Sequence, residues 1–361
     1  MYKQPGQEEF LFYMLYTGAA VLSLIASIYL LFRRANAIAP EITSPVRLRR
    51  WTAALFASTT LSHVWYLPGV FLTSDSAIML HDLVGGLLDS MTVLPLSIVI
   101  MFCMLQDRRR PLWPAWVMVA PIVVGMAVCI ATRSYAALPV ILAYFLLLGI
   151  GLIIYMVRAI RQYGRWLRDN YADLEHKEVW QSFVVMAFIL LISGIYELGF
   201  EWLAYDYVVQ LLGIVVVCYL LWRVETLSDL STSQPQTIRN RSTVVALPAK
   251  NIESLLKQYC EEPQLYLQHD LSLAELCKAI GTNRTYLGQY FSNQGITYNA
   301  YINQLRIQHF VSLYREAVAA QRSFTAQQLA NECGFQSYRT FSDVFKRVMN
   351  QSVSTWMKDQ Q

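Results

Sequence analysis

Seven apolar stretches, each long enough to cross a bilayer, fill the first 223 residues of this chain. A helix needs about 20 apolar residues to span ~30 Å of hydrocarbon. Runs of that length lie at 10–32, 51–72, 83–105, 112–132, 136–157, 179–200 and 205–222. After Arg223 the chain turns polar, with ordinary globular patterning. With 55% hydrophobic and 15% charged residues over 361, it is too apolar overall for an average soluble protein. Two domains are expected, one solvated by lipid and one by water.

The basic residues of the connections set an orientation. Those after the first, third and fifth runs hold Arg33, Arg34, Arg47, Arg49, Arg50, Arg108, Arg109, Arg110, Arg158, Arg161, Arg165, Arg168 and Lys177. The N-terminal tail and the other connections hold only Lys3 and Arg133. This asymmetry predicts an outside N-terminus and a cytoplasmic C-terminus. The first run is not read as a cleaved signal: Glu8 and Glu9 precede it and Arg33 and Arg34 follow, the reverse of a signal's charge order. Cys103, Cys129 and Cys218 fall in apolar runs and Cys260, Cys277 and Cys333 in the polar part, so all six read as small buried hydrophobes rather than disulfides or zinc ligands.

Residues 224–248, rich in Ser, Thr and Gln, are expected to be a flexible linker between a membrane domain at 1–223 and a soluble domain at 249–361. In the soluble domain one small pattern occurs twice. Leu276 precedes Gly281 by five residues, with Leu287 and Phe291 beyond; Leu329 precedes Gly334 by five, with Phe341 and Phe345 beyond. Two helices across a tight turn look like this, and a helix-turn-helix reads DNA. Ser272 with Glu275 three residues on reads as a capping box. Between the copies, residues 298–316 carry the apolar spacing of a long helix, about 28 Å at ~1.5 Å per residue. That length lets one polypeptide approach two major-groove faces ~34 Å apart.

The run from Leu271 to Trp356 resembles the DNA-binding domain of the AraC/XylS transcription regulators. The resemblance rests on Leu273-Ala-Glu-Leu with Gly281, Tyr286-Leu287, Phe291, Gly295-Ile-Thr297, Tyr301-Ile302, Leu305-Arg306, Leu329-Ala330, Gly334-Phe335, Phe341-Ser342 and Val344-Phe345-Lys346. It covers about a quarter of the chain and leaves the apolar half untouched. It implies recognition helices at Arg284–Asn293 and 337–349, with double-stranded DNA as partner. Arg284, Thr285 and Gln289 would face DNA from the first helix, and Tyr338, Arg339, Ser342 and Asp343 from the second. Arg339 is the best candidate to read a base, since a guanidinium fork matches guanine's two groove acceptors. Gln289 suits adenine, and Asp343 suits cytosine or orients Arg339. Gln336, Ser337 and Lys346 suit phosphates. The sequence departs from the family at Gly288, which offers a base no side chain, and after Asn350, where the usual Gly, Pro and Arg are replaced. The net charge of residues 245–361 is only +2, modest for a DNA reader.

Ionisable residues at lipid depth suggest function by default. His63, Asp82, Asp89, Glu197, Glu201 and Asp206 are expected near the outer half of the bundle. They could form an acidic pocket for a cationic or polyhydroxylated small molecule. The competing expectation is that the interfacial acids are merely solvated, with His63 and Asp89 satisfying one another.

The sequence therefore predicts an all-α protein, a seven-transmembrane bundle followed by two helix-turn-helix units joined by a linker helix. Its expected role is a multi-pass regulator of the bacterial inner membrane, with the membrane part controlling DNA binding, and pairing as a homodimer is in keeping with such regulators. No enzyme motif, cofactor or metal is expected. A transporter or membrane enzyme with an autoregulatory domain, or a membrane half that only anchors, are the rival readings.

Overall fold

In a computed structural model, the structure describes residues 7–33, 35–185, 187–188, 203–230 and 249–360, with side chains left out at 7–9, 203–206 and 249–251. The described residues are helical, and the only β pairing among them is an isolated bridge between Tyr171 and Ser272. The chain divides into two compact units: Met1–Arg161 with Val179–Leu230, and Gln162–Glu178 with Ser231–Gln361.

The first unit contains α1 (Gln7–Phe32), α2 (Val46–Tyr66), α3 (Asp75–Met91), α4 (Val93–Met104), α5 (Trp113–Thr132), the start of α6 (Leu138–Asn170) and α7 (Leu203–Thr226). Among the described residues, five helices or helix pairs are long and apolar enough to cross a membrane: Phe10–Phe32, Asp75–Met104, Trp113–Thr132, Leu138–Asn170 and Tyr207–Thr226. Two of the seven expected runs are not among these. The second run falls on the later part of α2 and a 3-10 turn at Leu67–Phe71; α2 opens on Arg47, Arg49 and Arg50 and carries Thr52, Thr59, Thr60, Ser62 and His63, too polar to be counted with the five. The sixth, at 179–200, falls largely outside the described residues. The third starts earlier than expected and breaks at Thr92, three residues before Pro95, whose missing N–H cannot bond back into α3.

α1 packs on both α2 and α7, with Ala19, Ala26 and Ala53 buried. Small residues let helix backbones approach without a hydrophobic driving force, and Ser27 Oγ donates to the Ala53 carbonyl at 2.8 Å. A second device closes one end of the unit. Glu225, 1% exposed, accepts from the backbone N–H groups of Ala37 (3.1 Å) and Ile38 (2.8 Å) and from the Tyr29 hydroxyl. Asn36 donates to the Glu225 carbonyl at 2.9 Å and accepts from Ser44 and Arg49. Leu227 and Leu230 are buried too, so the tether expected from residue 224 is packed structure as far as Leu230. Arg49 and Arg110, counted in the charge asymmetry, are themselves buried, Arg110 against Asp107 at 2.6 Å.

The second unit is built on two apolar clusters. Ile252, Leu256, Cys260, Leu271, Leu276, Leu287, Phe291, Tyr298 and Ile302 form one, and Ala172 belongs to it. Phe310, Tyr314, Leu329, Phe335, Phe341, Phe345 and Trp356 lie in the other. The helices are α8 (Ala249–Leu256), α9 (Leu273–Ile280), α10 (Arg284–Asn293), α11 (Tyr298–Ala319), α12 (Ala326–Glu332), α13 (Tyr338–Met349) and α14 (Val353–Asp359). Despite the altered residues after Asn350, the closing helix is present; Asn350 turns the chain in the left-handed region and Ser352 caps α14.

Candidate nucleic-acid interface

Each helix-turn-helix is assembled by the same local chemistry. α9 and α12 both open on a capping box, Ser272 with Glu275 and Thr325 with Gln328. These reciprocal bonds satisfy N–H groups that the first turn leaves unpaired. Gly281 and Gly334 then turn the chain at φ +75° and +87°, a region costly for residues with a Cβ. Asn283 and Ser337 cap α10 and α13, accepting from the N–H groups of Tyr286 (2.9 Å) and Thr340 (3.2 Å). The second capping box has its own signature in the sequence, Thr325-Ala-Gln-Gln328, with the amide side chain three residues after the cap.

α13 sorts its side chains cleanly. Phe341, Val344 and Phe345 are buried, while Arg339, Asp343 and Lys346 are exposed and Ser342 is half-buried. Positions 339, 342, 343 and 346 follow the spacing of one helical stripe. Gln336 and Tyr338 are exposed beside it, Tyr338 with its ring 5.7 Å from that of Phe341. Ser337 is committed to its cap and half-buried, which leaves its backbone rather than its hydroxyl for a phosphate. On α10, Thr285 and Gln289 are exposed one turn apart, Arg284 is half-buried, and Leu287 and Phe291 point into the core.

The connector α11 has 22 residues, longer than the 19 expected. At ~1.5 Å per residue it spans about 33 Å, close to the ~34 Å between successive major-groove faces. Arg306, at its middle, is not among the residues expected to face DNA, and it is central to the fold of this unit. It is 1% exposed and donates to the carbonyls of Tyr266 (2.8 Å), Gln268 (2.7 Å) and His269 (3.2 Å). Burial pulls its guanidinium below the ordinary range, opposed by Asp173, Tyr298 and Asp270. In the sequence Arg306 stands only in the Leu305-Arg306 part of the family resemblance, and nothing there points to its carbonyl partners.

Residues 276–359 match the model of a helix-turn-helix domain. The TCP pilus virulence regulatory protein of Vibrio cholerae is 32% identical over 84 residues, 23% of this chain and 29% of that protein. The HTH-type transcriptional activator RhaR of Escherichia coli K12 is 29% identical over 119 residues, 33% of this chain and 40% of its own length. Residues 276–359 are a helix-turn-helix domain of the AraC/XylS type. The chain spans well under half the length of these relatives, and the similarity leaves the apolar half unmatched. No solved structure is significantly similar to the chain.

The second candidate site, in the first unit, is partly assembled. His63 Nδ1 lies 2.7 Å from the Thr59 carbonyl and Nε2 lies 3.1 Å from Gln210 Oε1. The Tyr16 ring sits 4.6 Å from the imidazole, and its hydroxyl donates to the His63 carbonyl at 2.7 Å. Half-buried Asp89 lies within electrostatic reach of His63, Ser62, Trp65 and Tyr66. Its Oδ1 and Trp65 Nε1 are buried without a hydrogen bond. Asp82 is exposed and interacts with His81 and Tyr135 instead, so it does not join Asp89. Glu197 and Glu201 lie outside the described residues, as does the side chain of Asp206. Among the described residues no group of three acids, histidines or cysteines is placed to hold a metal.

Proposed function

We propose that this chain is a membrane-held transcription regulator whose second unit reads DNA through α10 and α13. The observation that carries the reading is α13. A fully packed aromatic face lies behind an exposed stripe of Arg339, Ser342, Asp343 and Lys346, on a helix inside an AraC/XylS-type domain. Arg339 reads a base, Gln289 and Asp343 add discrimination, and Gln336, Ser337 and Lys346 position the duplex. Thr285, Tyr338 and Arg284 complete the contact, Arg284 from a half-buried position that suits the phosphate backbone. A 33 Å connector supports two adjacent groove contacts by one chain, and a pair of chains would suit a repeated site.

The five apolar helices support a membrane location, and we extend this to seven spans with the second unit in the cytoplasm, following the charge of the connections. The contacts around His63 and Asp89 favour a membrane half that takes a small polar or cationic ligand over one that merely anchors. Asp89 there holds an oxygen with hydrogen-bonding capacity to spare.

The test is selection of duplexes from a random-sequence pool by the full chain in lipid nanodiscs, with a cytoplasm-active reporter at the C-terminus in cells. Enrichment of one sequence and an active reporter support the reading. No enrichment, or an inactive reporter on a well-expressed chain, sinks it.

A further inference from the structure

The sequence reading assigns residues 162–178 to a connection between two apolar runs, yet they form part of the DNA-binding unit. Their docking is specific. Ala172 sits in the core of the first helix-turn-helix, 1% exposed. Its backbone N–H donates to the Leu271 carbonyl at 3.2 Å. Asn299, from α11, donates to the carbonyls of Tyr171 (3.2 Å) and Ala172 (2.5 Å), and Asn303 to that of Ala172 at 3.2 Å. Lys177, 3% exposed, pairs with Asp270 at 2.8 Å and lies 5.5 Å over the Tyr171 ring. Two buried asparagines and a buried lysine spent on one short segment make a built interface, since unpaired groups of that kind are costly.

Within this clasp the chain is bent so that one acid reaches the recognition helix. Asp173 Oδ1 accepts from the Glu175 N–H at 2.9 Å, and His176 turns at φ +61°. Glu175 Oε2 then accepts from Thr340 Oγ1 at 3.0 Å. Thr340 lies in the first turn of α13, beside the Ser337 cap. Helix N-termini attract anions, and this one adjoins Gln336 and Ser337, the residues assigned to phosphates above.

We propose that the 171–177 segment is an intramolecular brake on DNA binding: Glu175 holds the anion position at the start of the second recognition helix, and a duplex phosphate must displace it. The inference rests on the DNA-reading function proposed above and adds its regulation. The segment follows α6 directly in sequence, a covalent route to the DNA-binding unit separate from residues 231–248.

The test compares the full chain with Glu175→Gln, which keeps the shape and removes the charge. The probe is the duplex that the wild-type chain selects from a random pool. Removing one like charge beside a phosphate is expected to tighten binding by about fivefold at low salt, converging at high salt. Equal or weaker binding by Glu175→Gln overturns the brake, because a merely structural clasp loses stability and gains no affinity. Should the variant fail to accumulate, amide exchange in the wild-type chain decides: the 171–177 amides exchange faster with the duplex bound if the segment is displaced, and unchanged exchange overturns it. A wild-type chain that selects no sequence sinks the DNA-reading function as well, whereas selection with an indifferent Glu175→Gln sinks only the brake.

Discussion

The guanidinium carbon of Arg306 lies 5.5 Å from the centroid of the Phe335 ring. Through this pair the connector helix touches both helix-turn-helix units, since Arg306 also binds the carbonyls of residues 266, 268 and 269, just before the first unit. Arg306→Met removes the donor from the carbonyl of buried Tyr266, at ~1–3 kcal/mol for a buried acceptor left unpaired, and from those of exposed Gln268 and His269, which water can satisfy. We expect a loss of about 1–3 kcal/mol, read as faster amide exchange across the second unit. Arg306→Lys recovers part of it, because an ammonium cannot reproduce the planar fork.

The two turn glycines separate backbone strain from crowding. A Cβ at Gly334 would lie 2.5 Å from the Leu267 carbonyl oxygen, whereas nothing lies within 4 Å of one at Gly281. Both have positive φ. Gly281→Ala therefore costs about 1–2 kcal/mol from conformation alone. Gly334→Ala costs clearly more, because the segment at Leu267 must also move. Denaturation of the two variants checks the order; equal losses would remove the close approach from the account.

Cys260 and Cys333 are fully buried, and burial pushes both thiols up to about 12; Cys277 is pushed up to about 11. The thiolate is the reactive form. In the native chain all three should resist maleimide at pH 7 and label on unfolding. Cys218, exposed in α7, departs from the expectation that all six are buried.

Burial raises the Asp173 carboxyl above its ordinary value, against the pull of the Glu175 N–H and Lys177. Between about 3.9, the ordinary value, and its raised value, the folded state holds a proton that the unfolded chain releases. Its contribution is therefore full at low pH and lost as pH rises through the raised value. Asp173→Asn keeps the acceptor for the Glu175 N–H and removes that loss. The thermal midpoint difference, variant minus wild type, should grow as pH climbs from 4 to 7. A difference independent of pH would contradict the assignment.

Arg339→Ala should relax discrimination at one base position by ~1–3 kcal/mol without changing stability, since the side chain is exposed. Selection from a random pool, variant against wild type, gives the result directly. Identical enriched sequences would exclude Arg339 from base reading.

Local patterns were legible where short-range physics governs them. The first recognition helix, the Ser272 cap, the two turns and the packed Phe341 and Phe345 all follow from spacing and turn chemistry within a dozen residues. The long connector was legible too, apart from its last turn. What the sequence hid are contacts between distant segments. Ala172 completing the core at Leu271, Glu225 clamping residues 36–38 and Arg306 bonding residues 266–269 leave no periodic trace. In the apolar half, the run at 51–72 is diluted by Thr52, Thr59, Thr60, Ser62 and His63, and its helix α2 begins earlier, at Val46, on three arginines. Of the candidate pocket residues that the structure describes, His63 and Asp89 approach one another, whereas Asp82 interacts with His81 and Tyr135.

The most direct test of the central claim is genome-wide mapping of DNA crosslinked to the full chain recovered from membranes, for wild type and Arg339→Ala. The account predicts discrete sites sharing one sequence for the membrane-associated wild-type chain, with that sequence relaxed at one position in the variant. Recovery of the chain only from the soluble fraction, or DNA spread evenly over the genome, would contradict it.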